Sequence, residues 1–212
     1  MSEESGIINF INQKEDLSEE VAQKVIENPL LLPVLLEGIS SSNTRVRFRS
    51  AKILRIISSK NPEMLYPRLD FFIELIESEN NIIKWNALDV IANLTGADGE
   101  HRFDEIFEKY YHLLQDESMI TAAHVVDNSA KIISYRPDLQ ERITAELLKV
   151  DKIPRDKECQ NILAGKAILT FDQYFNEIED KDAVISFVES KLENPRNATK
   201  VKAEKFLNKN LK

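Results

Sequence analysis

Residues 28–94 carry the same pattern twice, and a chain that repeats helix pairs at a fixed period has few folds open to it. Asn28-Pro29-Leu30 opens an apolar helical stretch ending near Ser40, and Asn43-Thr44-Arg45 opens a second helix to about Ser59. Asn61-Pro62-Glu63 restarts the cycle, with an apolar helix to about Glu77 and another from Asn80 to Leu94. A single pair cannot bury its own apolar face, so neighbouring pairs must stack, and the expected fold is an all-α solenoid.

Apolar residues recur at three and four spacings along the whole chain, which extends the helical reading to the rest. A short lead, Gly6 to Asn12, precedes a helix near Ser18–Glu27, with Ser18 as N-cap and Glu19 and Glu20 in its first turn. About five pairs follow, over 29–59, 62–94, 103–134, 137–175 and 181–209, as one domain spanning 1–212. Pro29, Pro62 and Pro137 suit first helical turns, where the missing N–H costs nothing. Thr95-Gly96-Ala97-Asp98-Gly99 reads as a helix end and turn, and Lys152 to Asp156 as an exposed linker.

Composition narrows the functional classes. Five glycines and seven prolines in 212 residues favour helices joined by short turns over a β-sandwich. A net charge of −8 disfavours a dedicated nucleic-acid binder. Cys159 is the only cysteine, which rules out an intramolecular disulfide or a Cys-rich zinc site and fits a reducing, cytoplasmic setting. Met1-Ser2-Glu3-Glu4-Ser5 lacks the basic start of a secretory leader, and the most apolar run, Leu30 to Ile39, is too short to span a bilayer. No Gly-rich phosphate loop, Gly-x-Ser-x-Gly elbow or His-Glu-x-x-His occurs, so no cofactor, metal or catalytic residue is expected.

The second helices align. Val46-Arg47-Phe48-Arg49-Ser50-Ala51-Lys52-Ile53-Leu54 matches Ile83-Lys84-Trp85-Asn86-Ala87-Leu88-Asp89-Val90-Ile91, and Ser129-Ala130-Lys131-Ile132-Ile133 matches Ser50 to Leu54 with an indel. This resembles the HEAT-repeat family, whose second helix commonly begins with an aliphatic–basic pair followed by small residues. The resemblance implies a right-handed α-α superhelix of the HEAT/armadillo-like kind, with second helices lining the concave side.

At about 3.6 residues per turn, Val46, Ser50, Ile53, Leu54 and Ile57 share a core stripe in helix 43–59. Arg45, Arg49, Lys52 and Arg55 fall on another face beside Phe48, and 43–60 holds six basic residues and no acidic one. In the next second helix Ile83, Ala87, Val90, Ile91 and Leu94 form the stripe. Trp85, Leu88, Asp89, Ala92 and Asn93 then lie off it, with Trp85 level with Phe48. In the third, Ala123, Val126, Ala130 and Ile133 are the stripe, opposite His124, Asp127, Asn128 and Lys131. Cys159 suits a small buried position.

These readings make the chain a non-catalytic protein-interaction scaffold, a monomer or weak oligomer. Its candidate binding residues are Arg45, Phe48, Arg49, Lys52, Arg55, Trp85, Asp89, His124 and Lys131, and its partner an unidentified protein with an acidic segment. Two alternatives stand beside it. Trp85-x-x-x-Asp89 is similar to the Trp and Asp that HEAT-like DNA glycosylases carry on one helix, which implies action on alkylated bases. The chain has no second Trp, however, and no matching Arg motif downstream. The other alternative is a structural or assembly subunit.

Overall fold

The computed structural model describes residues 3–211; Met1, Ser2 and Lys212, which the expected 1–212 span includes, lie outside the described residues. Helices account for all the regular structure within that range. The chain divides into two compact units, Met1–Phe103 and Asp104–Lys212. The first holds α1 (Glu3–Asn12), α2 (Ser18–Glu27), α3 (Leu32–Gly38), α4 (Thr44–Lys60), α5 (Pro62–Leu65), α6 (Leu69–Leu75) and α7 (Asn81–Leu94). The second holds α8 (Phe103–His112, opening on the last residue of the first unit), α9 (Met119–Tyr135), α10 (Gln140–Leu147), α11 (Lys157–Tyr174), α12 (Lys181–Glu189) and α13 (Asn197–Asn210). Among the described residues no helix is long and apolar enough to cross a membrane.

One capping device starts most of the second helices. The side chains of Asn43, Asn80, Ser118 and Asp156 accept hydrogen bonds from first-turn amides of α4, α7, α9 and α11, at a spacing of about 38 residues. Two residues earlier a second polar side chain turns the chain into the cap. The Asn43, Asn80, Ser118 and Arg196 amides donate to Ser41 Oγ, Ser78 Oγ, Asp116 Oδ1 and Asn194 Oδ1. The same turn opens α2, where the amide and hydroxyl of Ser18 both donate to Asp16. Asp16 is therefore the residue that turns the chain, and Ser18, expected as the N-cap, is the first helical residue.

First helices begin differently. Asn28, Asn61 and Arg136 stand before Pro29, Pro62 and Pro137, where the proline ring forbids further α-helix, and each ends the preceding helix in a non-helical conformation. Asp98 takes this place without a proline. Its carboxylate accepts from the Tyr66 hydroxyl at 2.6 Å and from the Arg102 and Phe103 amides at 2.8 and 2.9 Å, which starts α8. The expected turn at 95–99 is thus a cap in its own right.

In the first unit α4 packs against α2, α3 and α7, and α7 against α6. The predicted α4 stripe is fully buried, and so are Ile83, Ala87, Val90, Ile91 and Leu94 of α7. Leu88, Ala92 and Asn93, expected off the core, are buried as well. α7 is covered by α4 on one side and α6 on another, so its apolar arc is wider than one stripe. Asn93 crosses to α4 by donating to Ser58 Oγ at 2.8 Å. The residues from Gly6 to Asn12, expected as a short lead, belong to a helix, so α1 and α2 make a sixth pair. Each buried Leu, Ile or Phe is worth about 1.5–3 kcal/mol, so this seam holds the stack.

In the second unit α11 packs against α9 and α13, and α13 against α12. Val126, Leu163, Ala167, Phe171, Val188 and Phe206 are among the buried residues between them. Gly165 lets α13 come close: a Cβ there would lie 2.7 Å from Thr199 Oγ1, which donates to the Asn161 carbonyl. Asn128, expected on the polar face of α9, is buried, and Cys159 is half-exposed because it sits in the first turn of α11. Arg136 is buried with its guanidinium on Asp104 and Asp138, at 2.8 and 2.6 Å. Such a charge is tolerated inside only with its partners in place.

Candidate functional site

The basic face of α4 is built, and it is already in use. The Arg45 guanidinium donates to the Asn12 carbonyl at 2.9 Å. Arg49 donates to the carbonyls of Ile11, Gln13 and Lys14 at 2.9, 2.6 and 3.2 Å, which closes the C-terminal end of α1. The last carbonyls of a helix have no intrahelical donors and carry its negative dipole end, so a guanidinium there meets both needs. Arg155 of the second unit does likewise, donating to the Leu114 and Asp116 carbonyls in the turn before α9.

The other α4 cations take carboxylates. Lys52 meets Asp16 at 2.7 Å, Arg55 meets Asp89 of α7 at 3.3 Å, and Lys60 meets Glu19 at 2.7 Å. The Lys52 ammonium first, and the Ser18 hydroxyl next, hold the Asp16 carboxyl well below the usual carboxylate range. Arg47, not among the expected binding residues, donates to the Ser41 carbonyl and lies 5.1 Å from the centre of the Phe48 ring. Among the described residues, Arg45, Arg47 and Arg49 form no ion pair with a carboxylate.

Phe48 and Trp85 stand at the same distance from the caps Asn43 and Asn80, on helices that pack side by side, and both are half-buried. Trp85 is therefore neither free in solvent nor wholly enclosed between repeats. Asp89 is half-buried and committed to Arg55.

His124 and Lys131 belong to α9 in the second unit, the first half-buried and the second exposed. Asp127, the acidic neighbour of His124 in sequence, is tied to Lys166 of α11 at 2.5 Å. Counted from its cap Ser118, α9 places Val125 level with Ser50. The likeness of Ser129-Ala130-Lys131 to Ser50-Ala51-Lys52 is thus one helical turn out of structural register. A slip of four residues keeps the same helix face, which is why it is invisible in an apolar pattern.

No family model matches the chain, and no curated protein does. Solved structures do match along nearly the whole length. A designed armadillo repeat protein in complex with the peptide (KR)4 has 17% identity and a TM-score of 0.62, covering 98% of this chain and 99% of that one. A second designed armadillo repeat protein has 18% identity and a TM-score of 0.56 over 96% and 98% of the two chains. An engineered protein has 16% identity and a TM-score of 0.58 over 98% and 96%. At such identities the likeness concerns the fold alone, and the fold is an all-helical, armadillo-like repeat solenoid.

Proposed function

We propose that this chain is a non-catalytic, HEAT-like scaffold that binds an acidic protein segment on the α4–α7 face of its first unit, in the cytoplasm. One observation carries the reading. Phe48 and Trp85 occupy matching positions on adjoining helices, beside three arginines that form no ion pair with a described carboxylate. Half-buried aromatics are rigid enough to anchor a partner at small entropic cost, and the arginines supply charge complementarity. The basic peptide held by the designed armadillo neighbour supports peptide capture as something this fold is suited to. The charge of α4 points to the opposite sign of partner.

The glycosylase alternative gains nothing from the geometry, since Asp89 is occupied by Arg55. A role as an assembly subunit is one form of the scaffold reading. Charge reversal at Arg45, Arg49 and Lys52 is not a clean test, because Arg49 holds α1 in place. Affinity capture from the native host should instead compare the wild type with F48A/W85A. A partner enriched by the wild type and lost by the double variant is the expected result; recovery of the same proteins by both would refute the assignment.

A further inference from the structure

The second unit holds an open groove of about 700 Å³ between α11 and α13. Its floor is apolar. Ile168 and Leu169 come from α11, and Val201 and Phe206 from α13, with Leu169 48% exposed and Val201 half-exposed. Leu169 is not exposed singly: it adjoins Val201 and the apolar floor, so the exposed apolar surface here is contiguous and concave. The α13 wall presents Ala198, Val201, Lys202, Lys205 and Lys209 at three and four spacings. That run is about 17 Å long, the length of roughly three helical turns.

Charge sets the rim apart from the neighbouring second-helix contacts. Along the other stacked second helices, cations meet carboxylates: Arg55 with Asp89, and Lys166 with Asp127. In this groove Lys209 takes Asp172 at 2.9 Å, and Asn210 donates to the same carboxylate. Among the described residues, Lys202 and Lys205 have neither a hydrogen bond nor an ion pair. Lys202 is half-buried, its stem lying over Gly165, so it does not extend freely into water. Burial first, then the nearby Lys166 and Arg196 cations, draw its pKa down against a smaller opposing pull from Asp127, whose carboxylate is paired with Lys166. A carboxylate arriving there relieves that repulsion.

We infer that the α11–α13 groove is a docking site for an amphipathic helical segment of a partner, with aliphatic side chains on Leu169 and Val201 and carboxylates on Lys202 and Lys205. A helix laid in a groove between two helices matches the spacing of the wall, and its acids complete the missing ion pairs. This site lies wholly within the second unit and stands apart from the α4–α7 reading.

The test uses a synthetic peptide with leucines at helical i, i+3, i+4 spacing and glutamates between them, labelled for fluorescence anisotropy, and the full chain labelled with 15N. The wild type should bind, with amide shifts concentrated at residues 165–172 and 198–209. K202E/K205E and, separately, L169S should each weaken binding by about tenfold or more, while F48A/W85A binds as the wild type. Thermal unfolding is measured for each variant, and L169S and K205E, which alter exposed side chains, should unfold as the wild type does, so that lost binding in them is not lost folding. The inference is overturned by absence of binding, by unchanged affinity in K202E/K205E, by shifts elsewhere, or by a polyglutamate peptide binding as tightly as the amphipathic one. Because F48A/W85A and K202E/K205E are read separately, failure here leaves the α4–α7 assignment to its own experiment.

Discussion

Replacing Arg49 by alanine should release α1 from the first unit and leave the rest of that unit folded. The guanidinium donates three charge-assisted hydrogen bonds, to the Ile11, Gln13 and Lys14 carbonyls. Each such bond contributes about 1.5–3 kcal/mol in isolation, but the three share one charge, and exposed carbonyls regain water when freed. With the helix-dipole contribution included, about 2–3 kcal/mol is the expected loss. α1 has ten residues, fewer than the roughly 12–15 at which isolated helices persist, so it depends on docking. Amide hydrogen exchange should therefore accelerate by about 30- to 150-fold in residues 7–12 of R49A, with α7 unchanged. R49K keeps the charge with a different donor geometry and should fall between. Wild-type protection of α1 in R49A, with an unshifted denaturation midpoint, would refute the clamp.

Two further tests address the joints of the same unit. A Cβ at Gly38 would lie 2.2 Å from Ser50 Oγ, so G38A should cost about 1–3 kcal/mol in urea unfolding. The Ser50 hydroxyl is buried without a hydrogen-bond partner among the described residues, so S50A alone should be neutral or stabilising, and G38A/S50A should recover most of the loss; simple additivity would show that the hydroxyl is not the obstacle. The carboxyl of Asp16 titrates lower in the folded chain than in the unfolded one, so its contribution is complete above the unfolded value near 3.9 and fades as pH falls from about 4 toward 2 and below. With its side chain 48% exposed, that contribution is discounted to about 0.5–1 kcal/mol. The stability gap between wild type and D16N should narrow over that range and in high salt, and a gap independent of pH would remove the ion-pair explanation.

The legible part of this fold was local. First-turn prolines, polar caps and apolar spacing act within a few residues, so helix starts and the Asn43/Asn80 register follow from the chain itself. Burial of Leu88 and Asn93 was not legible, because it depends on α7 being covered from two directions. The α4 face was legible as a cluster of cations and illegible as a set of contacts. Arg45 and Arg49 are engaged by main-chain carbonyls of α1 and the turn after it, and any sequence supplies carbonyls. The groove on α11 and α13 left a trace only in the lysines of α13, at 200, 202, 205 and 209. What distinguishes Lys202 and Lys205 from Lys209 is which carboxylates lie within reach across the stack.

That distinction bears on how recognition surfaces arise in a stacked helical chain. Pairs between neighbouring repeats such as Asp16–Lys52, Arg55–Asp89, Asp127–Lys166 and Asp172–Lys209 are exposed on at least one side and contribute about 0–1 kcal/mol each. They add little to stability beside the apolar seam. Their effect is to satisfy charges that would otherwise attract counter-charged partners. On the two proposals made above, a cation serves binding where its rung in this ladder is missing, as at Lys202 and Lys205, or is filled by a neutral carbonyl that leaves its charge in place, as at Arg45 and Arg49. In a chain of net charge −8, the two proposed surfaces are places where an acidic partner would gain more than it loses to repulsion. Substituting Asp172 rather than a lysine puts this to the test: D172N should free Lys209 and strengthen binding of the acidic amphipathic peptide, and weaker binding would mean that the ladder's charges do not compete with partners at all.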